Sequence, residues 1–374
     1  EPDVCGSLLH TATVERLGGN DVTVRLVNRQ RSASLFDGKT FAMEHMASDS
    51  GTSCAIRALH TFITAPEERR SLLLGRREPV SDNTVCLTRK YHPHYDQVLL
   101  SAFRSQDFFL LVGPPGTGKT SMALRFMVEE EIARGTCGVL LTAYTNMAVD
   151  EICAMLNDAG IGFLRIGGES SCDERFRDRL FENAVGGLDT VENMRDAVRS
   201  VAVIVGTTSM LQSRPSVFGL KHFSLAIVDE ASQILEPALI GILSAHDGAG
   251  RCCIDRFILV GDHKQLPAVV QQSETDSRVD DPLLHGIGLT DCRNSLFERL
   301  MNIERRGGRK CFVGLLDRQG RMHPDVARFA ETMFYTGENL RPVPLSHQLE
   351  ASLGYDLPAE DAMDGLLKVR RMIF

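Results

Sequence analysis

Phe108-Phe109-Leu110-Leu111-Val112 followed by Gly113-Pro114-Pro115-Gly116-Thr117-Gly118-Lys119-Thr120 is the stretch whose reading decides the fold. Five apolar residues in a row predict a strand buried on both faces, and Ser121 to Glu131 reads as a helix. Between them lies the G-x-x-x-x-G-K-T spacing of a phosphate loop. Its glycines let the backbone wrap closely around a triphosphate, so that N–H groups from Gly116 onward, through Thr117 and Gly118, and the helix start face the anion. Pro114 and Pro115 have no N–H to donate and stiffen the entry. Lys119 is expected on the β- and γ-phosphates, and the Thr120 hydroxyl on Mg²⁺. ATP and Mg²⁺ are therefore the expected ligands.

The same texture continues outward from this stretch. Gly138 to Thr142, Phe163 to Ile166, Val201 to Gly206, Leu225 to Asp229 and Phe257 to Gly261 are short apolar runs separated by helical stretches. That alternation predicts right-handed crossovers and a parallel sheet covered on both faces, a RecA-like α/β layout. Leu225-Ala226-Ile227-Val228 runs into two acids, an arrangement in which Asp229 reaches the metal shell and Glu230 polarises an attacking water. An apolar strand ending in acids is common by itself; the phosphate loop upstream in the same sheet makes it catalytic. The charged stretch Glu169 to Ser200 interrupts the rhythm as an inserted helical lobe.

Ahead of the loop, Thr11 to Glu15, Gly18-Gly19-Asn20-Asp21 and Val22 to Val27 read as a β-hairpin. Ser53 to Leu74 reads as helical, with Pro66 at a first turn. The expected organisation is an accessory β-hairpin or barrel plus helical stalk over 1–87 and a RecA-like domain over 88–295 with its insertion at about 169–200. A partial second RecA-like domain is expected over 296–374.

Composition bounds the partners. The chain has 374 residues and is 43% hydrophobic, enough for two or three cored domains. It contains no apolar run long enough to span a membrane and no basic-then-apolar start, so it is expected to be soluble, intracellular and cytoplasmic, without a membrane partner. Without an initiator Met it reads as a piece of a longer polypeptide carrying further domains. None of its ten cysteines is paired as CxxC, which favours reduced thiols over zinc. Lys and Arg number 41 against 49 Asp and Glu, so strand binding has to be local rather than driven by net charge. Arg69, Arg70, Arg76 and Arg77, and later Arg305, Arg306, Arg309 and Lys310, are basic clusters, but the acids among them fit solvated faces equally well.

Further motifs appear in a fixed order. Asp229-Glu230-Ala231-Ser232-Gln233 resembles motif II of superfamily 1 helicases, and Gly261-Asp262-His263-Lys264-Gln265-Leu266-Pro267 resembles their motif III. Thr142-Ala143-Tyr144-Thr145-Asn146-Met147-Ala148-Val149-Asp150 is similar to motif Ia, Gly206-Thr207-Thr208-Ser209-Met210 to the next strand-contacting motif, and Gln319-Gly320-Arg321-Met322-His323-Pro324 to motif IV. The resemblance runs from about Gln97 to Tyr335. It is strongest to the branch holding the nonsense-mediated-decay helicases and the helicase half of the Okazaki-fragment nuclease-helicase.

The resemblance implies roles residue by residue. Gln97 reads adenine, Gln265 senses the γ-phosphate, and Arg321 acts as an arginine finger from the second motor domain. Thr145, Asn146, Thr207 and Thr208 lie just past strand ends, where short polar side chains can hold strand phosphates; helix capping is the plain alternative. Tyr144 is a stacking candidate. The implied activity is ATP-driven movement on single-stranded nucleic acid with 5′-to-3′ polarity, DNA favoured over RNA. Two departures stand out: Gly320 replaces the family's adenine-stacking tyrosine, and nothing after Tyr335 resembles motifs V and VI. A protein-remodelling ATPase of the AAA type and a nucleotide-regulated binding module are the alternatives.

Overall fold

The computed structural model describes residues 10, 12–26, 37, 38, 41–43, 50–136, 138–187, 190–350, 353 and 358–372. The chain divides into two units, Glu1–Ser48 and Asp49–Phe374. In the first, β1 (Ala12–Leu17) and β2 (Val22–Leu26) pair antiparallel, as the Gly18-to-Asp21 turn chemistry predicts, with a register irregularity between Val14 and Arg16. The Gly18 N–H closes the turn on the Asp21 carbonyl at 2.7 Å. The expected strand ends Thr11 and Val27, and Cys5 and Cys137, lie outside the described residues.

The second unit is built on β3 (Phe108–Val112), β4 (Val139–Ala143), β5 (Phe163–Ile166), β6 (Val203–Thr207), β7 (Phe223–Val228), β8 (Ile254–Gly261) and β9 (Val313–Leu315). Their order across the sheet is β5-β6-β4-β7-β8-β3-β9, with every pairing parallel. This is the parallel α/β sheet that the alternating apolar runs predict. All five residues of β3 are buried because helices cover both faces. Phe108, Leu110 and Val112 enter one hydrophobic cluster, while Phe109 and Leu111 enter the other, as period-two alternation demands.

The unit's limits differ from the sequence expectation at both ends. Residues 50–87, expected with the accessory domain, pack onto the sheet unit: Leu72 and Leu73 are core residues, and the Arg69 guanidinium donates to the Ile254 and Asp255 carbonyls at 2.6 and 2.8 Å. The expected start of a second domain at Leu296 is likewise no break. In the helix Leu296–Arg306, Leu296, Phe297, Leu300 and Met301 bury themselves in the first core. Arg299, 1% exposed, is paired with Glu236 and donates to the Ile287 and Leu73 carbonyls at 3.0 and 2.8 Å. β9 then adds to the edge of the sheet beside β3. A hydrophobic face at helical spacing says that a helix is buried, not which lobe buries it.

Beyond Leu316 the described chain changes character. β10 (Arg318–Gln319) and β11 (Arg341–Pro342) pair parallel across the helix Pro324–Met333, a small β-α-β unit separate from the main sheet. No helix among the described residues is long and apolar enough to cross a membrane.

Candidate active site

The catalytic candidates converge because β3, β7 and β8 are adjacent and end at the same edge of the sheet. Val112 pairs with Gly261, and Val228 with Leu259, so Gly113, Asp229 and Asp262 leave the same sheet edge. Open parallel sheets present ligand sites at this carboxyl edge. The Gly113 N–H donates to the Gly261 carbonyl at 3.0 Å, joining phosphate loop to motif III.

Within the loop, Gly116 and Gly118 have φ of +76° and +73°, left-handed conformations that glycine adopts without steric cost. Thr117 is buried and its hydroxyl donates to the Pro114 carbonyl at 2.8 Å. The following residues Lys119–Leu124 form a wide π-helical turn, a feature that recurs at functional sites, before Arg125–Ala133 continues as α-helix.

Motif II meets this loop directly. The Thr120 hydroxyl donates to Asp229 Oδ2 at 2.6 Å, and Lys119 Nζ lies 3.5 Å from Glu230 Oε1. Asp229 is 1% exposed, and burial pushes its carboxyl up to about 6. Glu230 has φ +50°, an uncommon conformation for a side chain of this kind that costs about 1 kcal/mol. Its Oε2 is buried without a hydrogen-bond partner among the described residues. Such an unsatisfied acceptor is costly unless a ligand or water supplies a donor. The residue types, the paired hydroxyl and carboxylate, and this orphaned oxygen all fit a triphosphate with Mg²⁺.

The remaining expected nucleotide residues surround the loop unequally. Gln97 is exposed on the first turn of the helix Asp96–Arg104. Gln265 donates its amide to Asp262 Oδ2 at 2.9 Å. Arg321 is exposed and lies over Gly116: a side chain at 116 would collide with it, and the neighbouring Gly320 N–H donates to the Gly116 carbonyl at 2.8 Å. A Cβ at Gly320 would stand 3.1 Å from Leu345, so the site of the missing tyrosine is already walled by Leu345.

Tyr95 is a site residue that the sequence did not single out. Its hydroxyl donates to the Thr117 carbonyl at 2.9 Å, while its ring packs edge-on to Phe126 at 5.6 Å. Burial raises its hydroxyl pKa, keeping it a donor. The only signal was an aromatic residue two positions before Gln97.

The strand-contacting candidates gather at the ends of β4 and β6. Thr145 caps the helix Asn146–Asp158 by accepting from the Ala148 N–H at 3.1 Å, and Thr207 caps Thr208–Ser213 by accepting from Met210 at 3.2 Å. Tyr144, Thr145 and Asn146 are exposed. Thr208 is not available: it is 1% exposed, its hydroxyl turned into the protein, which corrects the expectation for this residue.

A family profile described as AAA domain matches residues 94–186 and 187–273, the part of the chain that carries this geometry. The DNA replication ATP-dependent helicase/nuclease JHS1 of Arabidopsis thaliana is 32% identical over 64% of this chain and 16% of its own length. The human helicase/nuclease DNA2 is 30% identical over 75% of this chain and 25% of its own length. Over this stretch the chain is similar to the superfamily 1 helicases of the nuclease-helicase branch. The chicken DNA2 matches further, at 27% identity over 88% of this chain. The chain spans about a sixth to a third of the length of these curated relatives.

Proposed function

We propose that this chain carries the ATP-hydrolysing core of a 5′-to-3′ motor on single-stranded nucleic acid, with DNA as the favoured substrate, acting inside the cell. The observation that carries the reading is the Thr120–Asp229 contact of 2.6 Å beside the Lys119–Glu230 pair at 3.5 Å. Thr120 and Asp229 would hold Mg²⁺, which when bound neutralises phosphate charge and draws electrons from the transferred phosphoryl group. Gly116, Thr117 and Gly118 bind phosphate oxygens through backbone N–H groups, and Lys119 moves from Glu230 to the β- and γ-phosphates. Glu230, released from Lys119, orients the water and accepts its proton at the free Oε2. Gln265 senses the γ-phosphate, Arg321 stabilises its charge from beyond Leu316, and Gln97 reads the adenine edge. Thr145, Asn146 and Thr207 face the strand at the sheet edge, with Tyr144 beside them as a base platform.

Comparing single-stranded DNA and RNA as activators of ATP hydrolysis at two salt concentrations tests this. Stimulation by DNA above RNA supports it; indifference to both favours the second reading, a nucleotide-regulated binding module. That alternative draws on the size of the unit beyond Leu316, where the described residues form one two-stranded sheet.

A further inference from the structure

The loop after β8 is tied to the chain beyond Leu316 through one buried carboxylate. Asp262, fully buried, accepts at Oδ2 from the Gln265 amide at 2.9 Å and from the Tyr335 hydroxyl at 2.5 Å. Its Oδ1 accepts from the Lys264 N–H at 3.0 Å, and its own N–H donates to the Ser232 hydroxyl, two residues past Glu230, at 3.1 Å. Tyr335 is 4% exposed. A second contact spans the same two segments: Lys264 Nζ lies 2.6 Å from Glu338 Oε1 and over the Tyr335 ring at 5.1 Å.

These contacts bracket the helix Pro324–Met333. Before it, Gly320 and Arg321 rest on the phosphate loop at Gly116; after it, Tyr335 and Glu338 rest on the motif III loop. Here the Gln265 amide is spent on Asp262. A γ-phosphate, carrying more charge than one carboxylate oxygen, is the stronger acceptor for that amide. A buried carboxylate that loses one donor depends more heavily on those remaining, and Tyr335 is then the side-chain donor left on Oδ2.

We propose that Asp262 and Tyr335 form a connector: when the Gln265 amide leaves Asp262 for the γ-phosphate, the Asp262–Tyr335 bond changes, and the segment beyond Leu316 is repositioned through Tyr335. Both are positioning residues that act through Gln265, and the inference rests on the proposed nucleotide site.

The protein has five tyrosines and no tryptophan, so uniform 3-fluorotyrosine labelling yields a short ¹⁹F spectrum, assigned by single Tyr→Phe changes. Tyr95, on the Thr117 carbonyl, reports nucleotide in the loop; Tyr335 reports the connector. ADP with Mg²⁺ should move the Tyr95 resonance alone, whereas ATPγS with Mg²⁺ should move both. In Gln265→Ala, ATPγS should still move Tyr95 but leave Tyr335 in place. Equal Tyr335 shifts with ADP and ATPγS, or a Tyr335 shift that persists in Gln265→Ala, would overturn the connector while leaving the nucleotide site standing. A Tyr95 resonance silent to both nucleotides would remove the site reading and the connector with it.

Discussion

The Thr120 hydroxyl donates to the Asp229 carboxylate at 2.6 Å, joining residues 109 positions apart in sequence across the carboxyl edge of one parallel sheet. The contact brings the two proposed metal-holding residues together. It also keeps a carboxylate with little access to water, which makes the site a source of instability as well as of chemistry.

Asp229→Asn should therefore stabilise the nucleotide-free protein and lose Mg²⁺-dependent nucleotide binding. Burial raises the Asp229 carboxyl to about 6, above its unfolded value. The stability this group contributes is thus fully present below the ordinary carboxylate range and is lost as pH rises through about 6, a span of up to about 3 kcal/mol. Thermal unfolding at pH 5 and pH 7 checks it. The Asp229→Asn variant should melt higher than wild type at pH 7, with the gap shrinking at pH 5; an unchanged gap would point away from Asp229 ionisation.

Glu230→Gln should keep nucleotide binding and lower strand-stimulated hydrolysis by about 10²- to 10⁴-fold, since the amide keeps the shape but cannot accept the water proton. Phosphate release under saturating ATP measures it. A drop of less than about fivefold would assign the base to another residue.

Arg299→Met should cost about 3–5 kcal/mol, because it leaves Glu236 without its buried partner and two carbonyls without a donor. Denaturant unfolding measures the loss, with the exposed Arg306→Ala as a control expected within about 0.5 kcal/mol of wild type. An Arg299 variant as stable as the control would mean that the helix Leu296–Arg306 is not part of the first lobe's core.

Legibility followed how far apart the deciding residues lie in sequence. Lys119, Thr120, Asp229 and Glu230 sit in short contiguous patterns at strand ends, and β3 to β8 are apolar runs bounded by turns, so local spacing reveals them. Tyr95 and Tyr335 act through hydroxyls that meet Thr117 and Asp262 only in the folded chain. β9, three residues long, and the two-residue β10 and β11 are too short to show a period. Thr207 and Thr208 look alike in sequence, yet one caps a helix and the other points inward, a distinction that the end of β6 alone decides.

This chain alone should not displace a strand from a duplex. The Arg321 backbone lies against the phosphate loop at Gly116, but the unit that carries it has two short strands among the described residues. Stepping needs two lobes that close together on ATP. A strand-displacement assay should find no ATP-dependent unwinding by the purified chain; robust unwinding would mean that the small unit beyond Leu316 is a sufficient second lobe.

Equilibrium binding of ATP with Mg²⁺ to wild type and to Lys119→Ala tests the central claim most directly, because it needs neither turnover nor a complete second lobe. Lys119 stands 3.5 Å from Glu230 and begins the π-helical turn that follows the loop. Losing its charge-assisted contacts to phosphate should weaken binding by about 1.5–3 kcal/mol, roughly tenfold to more than a hundredfold. Equal affinity in the two proteins would place the nucleotide elsewhere and contradict the account.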